Sequence, residues 1–164
     1  MRLRDVVIVA AALAGWASPA TAAEMVSAAS PESLAAALKG AGHEAVQGTD
    51  DFGEPVLELV MRGFKARLLF FDCDPATHDR CRSVQFLSGF DADGTGMSPV
   101  EALRFSNSYR YAAITLNASG DPTLRWDIET GDGIPREVFV TAAERFLGTV
   151  QAMGALLYPK QARQ

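Results

Sequence analysis

The chain has 164 residues, 48% of them hydrophobic and 21% charged, a balance that supports one globular domain with a real core and leaves little room for a second. Its formal net charge is −5; Arg2, Arg4 and Asp5 at the start contribute +1, so the remainder carries −6. No cluster of lysine and arginine and no basic amphipathic helix occurs in it, which argues against nucleic acid or a membrane surface as partner.

The N-terminus has the three-part layout of a secretory signal. Arg2 and Arg4 supply the positive start, residues 6–14 (VVIVAAALA) the apolar run, and residues 18–23 the small-residue end. Small side chains around the cut place cleavage after Ala22 or Ala23. The apolar run is too short to span a bilayer, which takes roughly 20 residues. The expected organisation is a signal at 1–23, a short linker at 24–30, one domain at 31–158 and a polar tail at 159–164. The mature chain is expected to be periplasmic or secreted, with no stable membrane insertion.

Ser30, Pro31 and Glu32 open a helix by capping, first-turn and dipole preferences. Gly40 and Gly42 end it. Residues 43–47 form a weak first strand, and His43 at the junction reads as a surface residue. The acidic stretch at Asp50 and Asp51 reads as a solvated turn. Residues 55–62 and Phe64–Phe71 make the next two strands. In the latter, Phe64, Ala66, Leu68 and Phe70 alternate with Lys65, Arg67, Leu69 and Phe71. Its second half is apolar on both faces, so that end is either buried on both sides or covered by a partner. The fourth strand carries Val84, Phe86 and Phe90 on one side and Gln85 and Leu87 on the other. Ser98 and Pro99 start a second short helix. Residues 111–117 are a fifth strand. Residues 123–129 (TLRWDIE) are the cleanest, with Leu124, Trp126 and Ile128 inward. After a glycine loop, a long helix runs from Pro135 to about Tyr158, with Val138, Phe139, Ala142, Phe146, Val150, Met153 and Leu157 in one stripe. The order α-β-β-β-β-α-β-β-α predicts an α+β domain: a single curved antiparallel sheet with helices on one face.

Cys73 and Cys81 are the only cysteines. In an exported chain, two thiols bracketing a short loop between strands are expected to form a disulfide, worth about 2.5 kcal/mol in the chain-entropy model. The competing reading is a metal-dependent or hydrolytic enzyme that uses Cys73, His78 and Cys81 with Asp72, Asp74 and Asp79. Its spacing fits no zinc pattern, and a disulfide would remove the thiolates. Asp91, Asp93 and Thr95 resemble the start of a calcium loop, but Ala102 stands where its bidentate glutamate belongs. No nucleophile elbow and no phosphate-binding glycine loop is present. The inventory points away from an enzyme, a metal or a cofactor.

A leading helix ending in AGHEA, then GEPVLEL, a C…CRSVQF hairpin, SGDPTLRWDIETGDGI and a final helix with EVF together resemble the YbjN family of bacterial sensory transduction regulators. The resemblance covers about residues 31–158. It implies a fold similar to type III secretion chaperones and offers no catalytic residues. One departure is LRFSN in the middle helix, which keeps Asn107 without the tryptophan often found beside it. The expected function is a non-enzymatic periplasmic binding or regulatory module that holds a protein or peptide. Its candidate surface is Leu69, Phe70, Phe71 and Leu87, with the last helix contributing. A structural envelope protein that only forms homo-oligomers is the remaining alternative.

Overall fold

The computed structural model describes residues 23–92 and 96–159. The expected signal up to Ala22, Asp93 and Thr95 of the calcium-like loop, and residues 160–164 of the tail lie outside the described residues. The elements are β1 (Met25–Val26), α1 (Pro31–Gly40), β2 (Glu44–Thr49), β3 (Pro55–Met61), β4 (Phe64–Phe71) and β5 (Ser83–Gly89), followed by α2 (Pro99–Ser108), β6 (Ala113–Leu116), β7 (Pro122–Glu129), β8 (Ile134–Pro135) and α3 (Arg136–Leu157). Six strands form one open antiparallel sheet in the order β2-β3-β4-β5-β7-β6. This is the α+β architecture that the hydrophobic pattern predicts.

Register fixes which side chains meet. Leu57, Leu68, Phe86 and Trp126 lie opposite one another across four strands, and on the same face Phe70 lies beside Val84, and Val84 beside Ile128. That face is the core side. Leu57, Leu68, Phe70, Val84 and Phe86 are all buried there. α3 lays Phe139, Ala143, Phe146, Leu147, Val150 and Met153 over it. Phe86 is the centre, stacked on Phe139 at 5.8 Å and on Phe146 at 5.3 Å between ring centroids. α1 covers the β2–β3 end and α2 the β6 end. Gly154 lets α3 come close to the sheet: a Cβ there would stand 2.8 Å from the ring of Phe64. The expected α3 stripe is shifted at its start, where Val138 is 51% exposed and Ala143 takes the inward position.

The starts of α1 and α2 follow the sequence, by different chemistry. Ser98 and Glu101 form a reciprocal capping box at α2. Ser30 makes no side-chain cap at α1. Its hydroxyl donates to Glu32 instead, at 2.6 Å, and that bond holds the Glu32 carboxyl below its ordinary pKa.

His43 is a correction: it is 4% exposed, not a surface residue. Gly42, with φ +86°, closes α1 with a left-handed turn, in which Gly42 N–H donates to Lys39 and His43 N–H to Leu38. This Schellman pattern swings the following residue back onto the helix, so His43 turns inward. Its Nε2 lies 2.9 Å from Glu144 Oε1, and a carboxylate only accepts, so Nε2 carries the proton. Nδ1 is buried without a partner among the described residues. Glu144 also pairs with Arg62 at 3.2 Å. Glu144→Ala is therefore expected to leave a buried imidazole N–H unpaired and to cost about 1–3 kcal/mol, read as a lower urea midpoint at unchanged slope.

The sequence shows no sign of β1 and β8, which pair as a separate two-stranded ribbon. Met25 and Val26 fall in the stretch expected to be a linker. The segment is tied down further where Thr130 Oγ1 accepts from Ala28 N–H and donates to Arg82 C=O, both at 2.9 Å. Arg136 N–H donates to Glu24 C=O at 2.7 Å.

Candidate interaction surface

The cysteine loop is closed. Cys73 and Cys81 are bonded, with S–S 2.12 Å. Phe71 faces Ser83 in the β4–β5 ladder, so the same register continued by two residues sets the cysteines opposite each other. Disulfides form and persist in oxidising compartments. Inside the loop His78 and Arg80, and just before it Asp72, hold φ near +50°, a left-handed conformation that non-glycine residues avoid.

The loop acids are spent on the loop itself. Asp74 accepts from the N–H groups of Ala76 and Thr77 and pairs with Arg80. The Ala76 bond is the main reason its carboxyl lies below the ordinary range. Asp79 accepts from Thr77 and Asp72 from Ser83. Asp50 likewise serves its own turn, accepting from Phe52 and Glu54. His78 lies against the same turn, about 3.7 Å from the Cβ position at Gly53. A site built from Cys73, His78 and Cys81 therefore lacks its thiolates, and its carboxylates are already hydrogen-bonded. Among the described residues no three His, Cys, Asp or Glu side chains gather as a metal cradle. Of the calcium-like loop, the described Gly96 (φ +55°) packs against the β6–β7 turn, where Met97 N–H donates to Gly120 C=O at 2.8 Å.

The other side of the six-stranded sheet lies opposite the face that carries the helices. Along it run Val46 on β2, Val56, Glu58 and Val60 on β3, Lys65, Arg67, Leu69 and Phe71 on β4, Gln85 and Leu87 on β5, and Arg125 and Asp127 on β7. Arg67 pairs across the strands with Glu58 at 2.9 Å, and Gln85 donates to Asp127 at 2.7 Å. Between and beside these polar pairs sits an apolar strip. Leu69 and Leu87 are half-buried and diagonal neighbours. Phe71 is 39% and Val46 65% exposed.

Three of the four residues expected to form the surface are thus brought together: Leu69, Phe71 and Leu87. Phe70 is the correction. It points to the opposite face and is 1% exposed, because successive side chains on a strand alternate. Val46 was missed, since a two-faced pattern is hard to see in so short and polar a strand.

The helices leave further apolar surface. A groove of about 660 Å³ between α2 and the end of α3 is lined by Met97, Phe105, Tyr109, Leu156 and Leu157. A second, about 380 Å³, lies where α3 passes β7, with Trp126, Val138 and Arg145 among its walls. No described helix is long and apolar enough to cross a membrane.

No curated protein matches the chain at a significant level. Residues 30–158 match the family model YbjN, described as "Putative bacterial sensory transduction regulator". With that match running through the α+β domain from the cap of α1 to the end of α3, the chain belongs to the YbjN family.

Proposed function

We propose that this chain is an exported, non-enzymatic regulatory module that holds a protein or peptide partner on the open face of its sheet. The observation that carries the reading is the strip of Leu69, Phe71, Leu87 and Val46 on the face away from the helices. Apolar strand residues rimmed by satisfied polar pairs are the composition of a protein-binding patch. The family's regulatory label supports binding rather than catalysis. The disulfide supports an oxidising compartment, and the signal layout supports export to the periplasm, with cleavage after Ala22 or Ala23.

The test is photo-crosslinking in cells with the full exported chain. A photoreactive residue at Phe71 or Leu87 is expected to give a defined adduct, and one at the exposed Ala36 on α1 none. Leu87→Asp is expected to lower partner recovery about tenfold or more, because it places a charge where apolar contact forms. Absence of adducts at both sheet positions, with the protein exported and folded, overturns the reading. The mass of the adduct tells another protein from a second copy of this chain. Fractionation with N-terminal sequencing tests the compartment and the cut.

A further inference from the structure

Arg62, Arg67, Arg80, Arg82 and Arg136 each meet a carboxylate. Among the described residues Arg104, Arg110, Arg125 and Arg145 do not, and of these Arg110 and Arg145 both meet Tyr111 instead. Each guanidinium carbon lies 5.0 Å from the centroid of that one ring. Arg145 donates to the phenol oxygen at 2.8 Å, and Arg110 donates to the same oxygen. The Arg110 hydrogen bond, with the positive charge of both arginines, holds the phenol below its ordinary pKa. The pairing with Tyr111 explains how each arginine is held. It does not neutralise two like charges brought to one ring, and an anion does.

An apolar seat adjoins the charges. Tyr111 packs on Trp126 with ring centroids 4.7 Å apart, and Trp126 walls the 380 Å³ groove with Val138, Thr141, Ala142 and Arg145. Val138 is 51% exposed there, although the amphipathic pattern would turn it inward. Val138 and Arg145 are seven residues apart on α3, about 10 Å along the axis. In an extended peptide, side chains two residues apart share a face and stand about 7 Å apart, and side-chain reach covers the difference. Glu137 is the one carboxylate on the groove wall. It stands about 12 Å from Arg145 along the helix, which puts the favourable place for an anion at the arginine end.

From this juxtaposition we infer that the Arg110–Tyr111–Arg145 cluster and the adjoining Trp126–Val138 groove bind an extended acidic peptide of the pattern apolar-x-Glu or apolar-x-Asp. The apolar side chain seats against Trp126 and Val138, and the carboxylate takes the free N–H donors of the two guanidiniums. The site lies on the helix side of the sheet, so it stands or falls independently of the open face.

The mature chain offers a direct readout, because Trp16 lies in the expected signal and Trp126 is then its sole tryptophan. Titrating the mature protein with N-acetyl-Gly-Phe-Ser-Glu-Gly-amide is expected to give a saturable change in tryptophan fluorescence. The Gln analogue is expected to bind about tenfold more weakly, as is the Glu peptide to Arg145→Ala. Raising salt is expected to weaken the Glu peptide only. Arg110 and Arg145 are exposed, so their alanine variants keep the fold, and circular dichroism verifies this. No saturable change up to about 5 mM peptide, equal affinity for the Gln analogue, or full affinity in the Arg110→Ala/Arg145→Ala double variant overturns the inference.

Discussion

Phe86→Ala is expected to cost about 3–5 kcal/mol, a large part of the roughly 5–15 kcal/mol that holds a domain of this size together. The reason is position. Phe86 is fully buried at the middle of the sheet, opposite Leu68 on one side and Trp126 on the other. Phe139 and Phe146 from α3 stack on it. Truncation removes the ring's own transfer energy and leaves a void that rigid strands and a 22-residue helix close only in part. Chemical unfolding checks the value. Phe86→Leu, which keeps much of the volume, is expected to lose less than about half as much. A loss below about 1 kcal/mol for the alanine variant would show that α3 does not pack over this strand as described.

Replacing both cysteines by alanine is expected to lower stability by about 2.5 kcal/mol, the chain entropy released by opening so small a ring. The effect is measured as the difference in urea unfolding between the double variant and the oxidised wild type. Reductant is expected to bring the wild type to the level of the variant and to leave the variant unchanged. The bond has a specific burden. The loop it closes contains His78 and Arg80 in left-handed conformations, each a cost of about 1 kcal/mol. Opening the ring lets them relax, so the loop itself is expected to gain backbone motion first, seen as faster amide exchange at Thr77 to Arg80. Protection that survives reduction would show that the hydrogen bonds of Asp74 and Asp79 hold the loop without the sulfurs.

The strands carrying the strongest alternation were the easiest to find. β4 and β7 begin and end within a residue of where their period-2 patterns place them, because a half-buried strand must alternate. The cysteine pairing was legible for a related reason: two strands joined by a short loop have one simple register. α1 was marked by Pro31 at its start and Gly42 after its end. His43 was not legible, because the turn that buries it depends on how Gly42 folds back over Leu38 rather than on any property of histidine. The assignment of Phe70 to a surface went against its own alternation, which puts it with Leu68 in the core. β1 and β8 escaped because two-residue strands have no period, and their partners lie more than 100 residues apart in sequence.

By itself, the amino-acid order determined the α+β class, the bounds of β4 and β7, the sulfur pair and the resemblance to the family, because periodicity and short-range spacing are local properties. Only the tertiary structure decided that β7 inserts between β5 and β6, that the described helices all pack on one face of the sheet, and that Arg110, Tyr111, Trp126 and Arg145 meet. Those outcomes depend on which distant faces bury each other, and burial is a property of the whole chain that no local pattern contains.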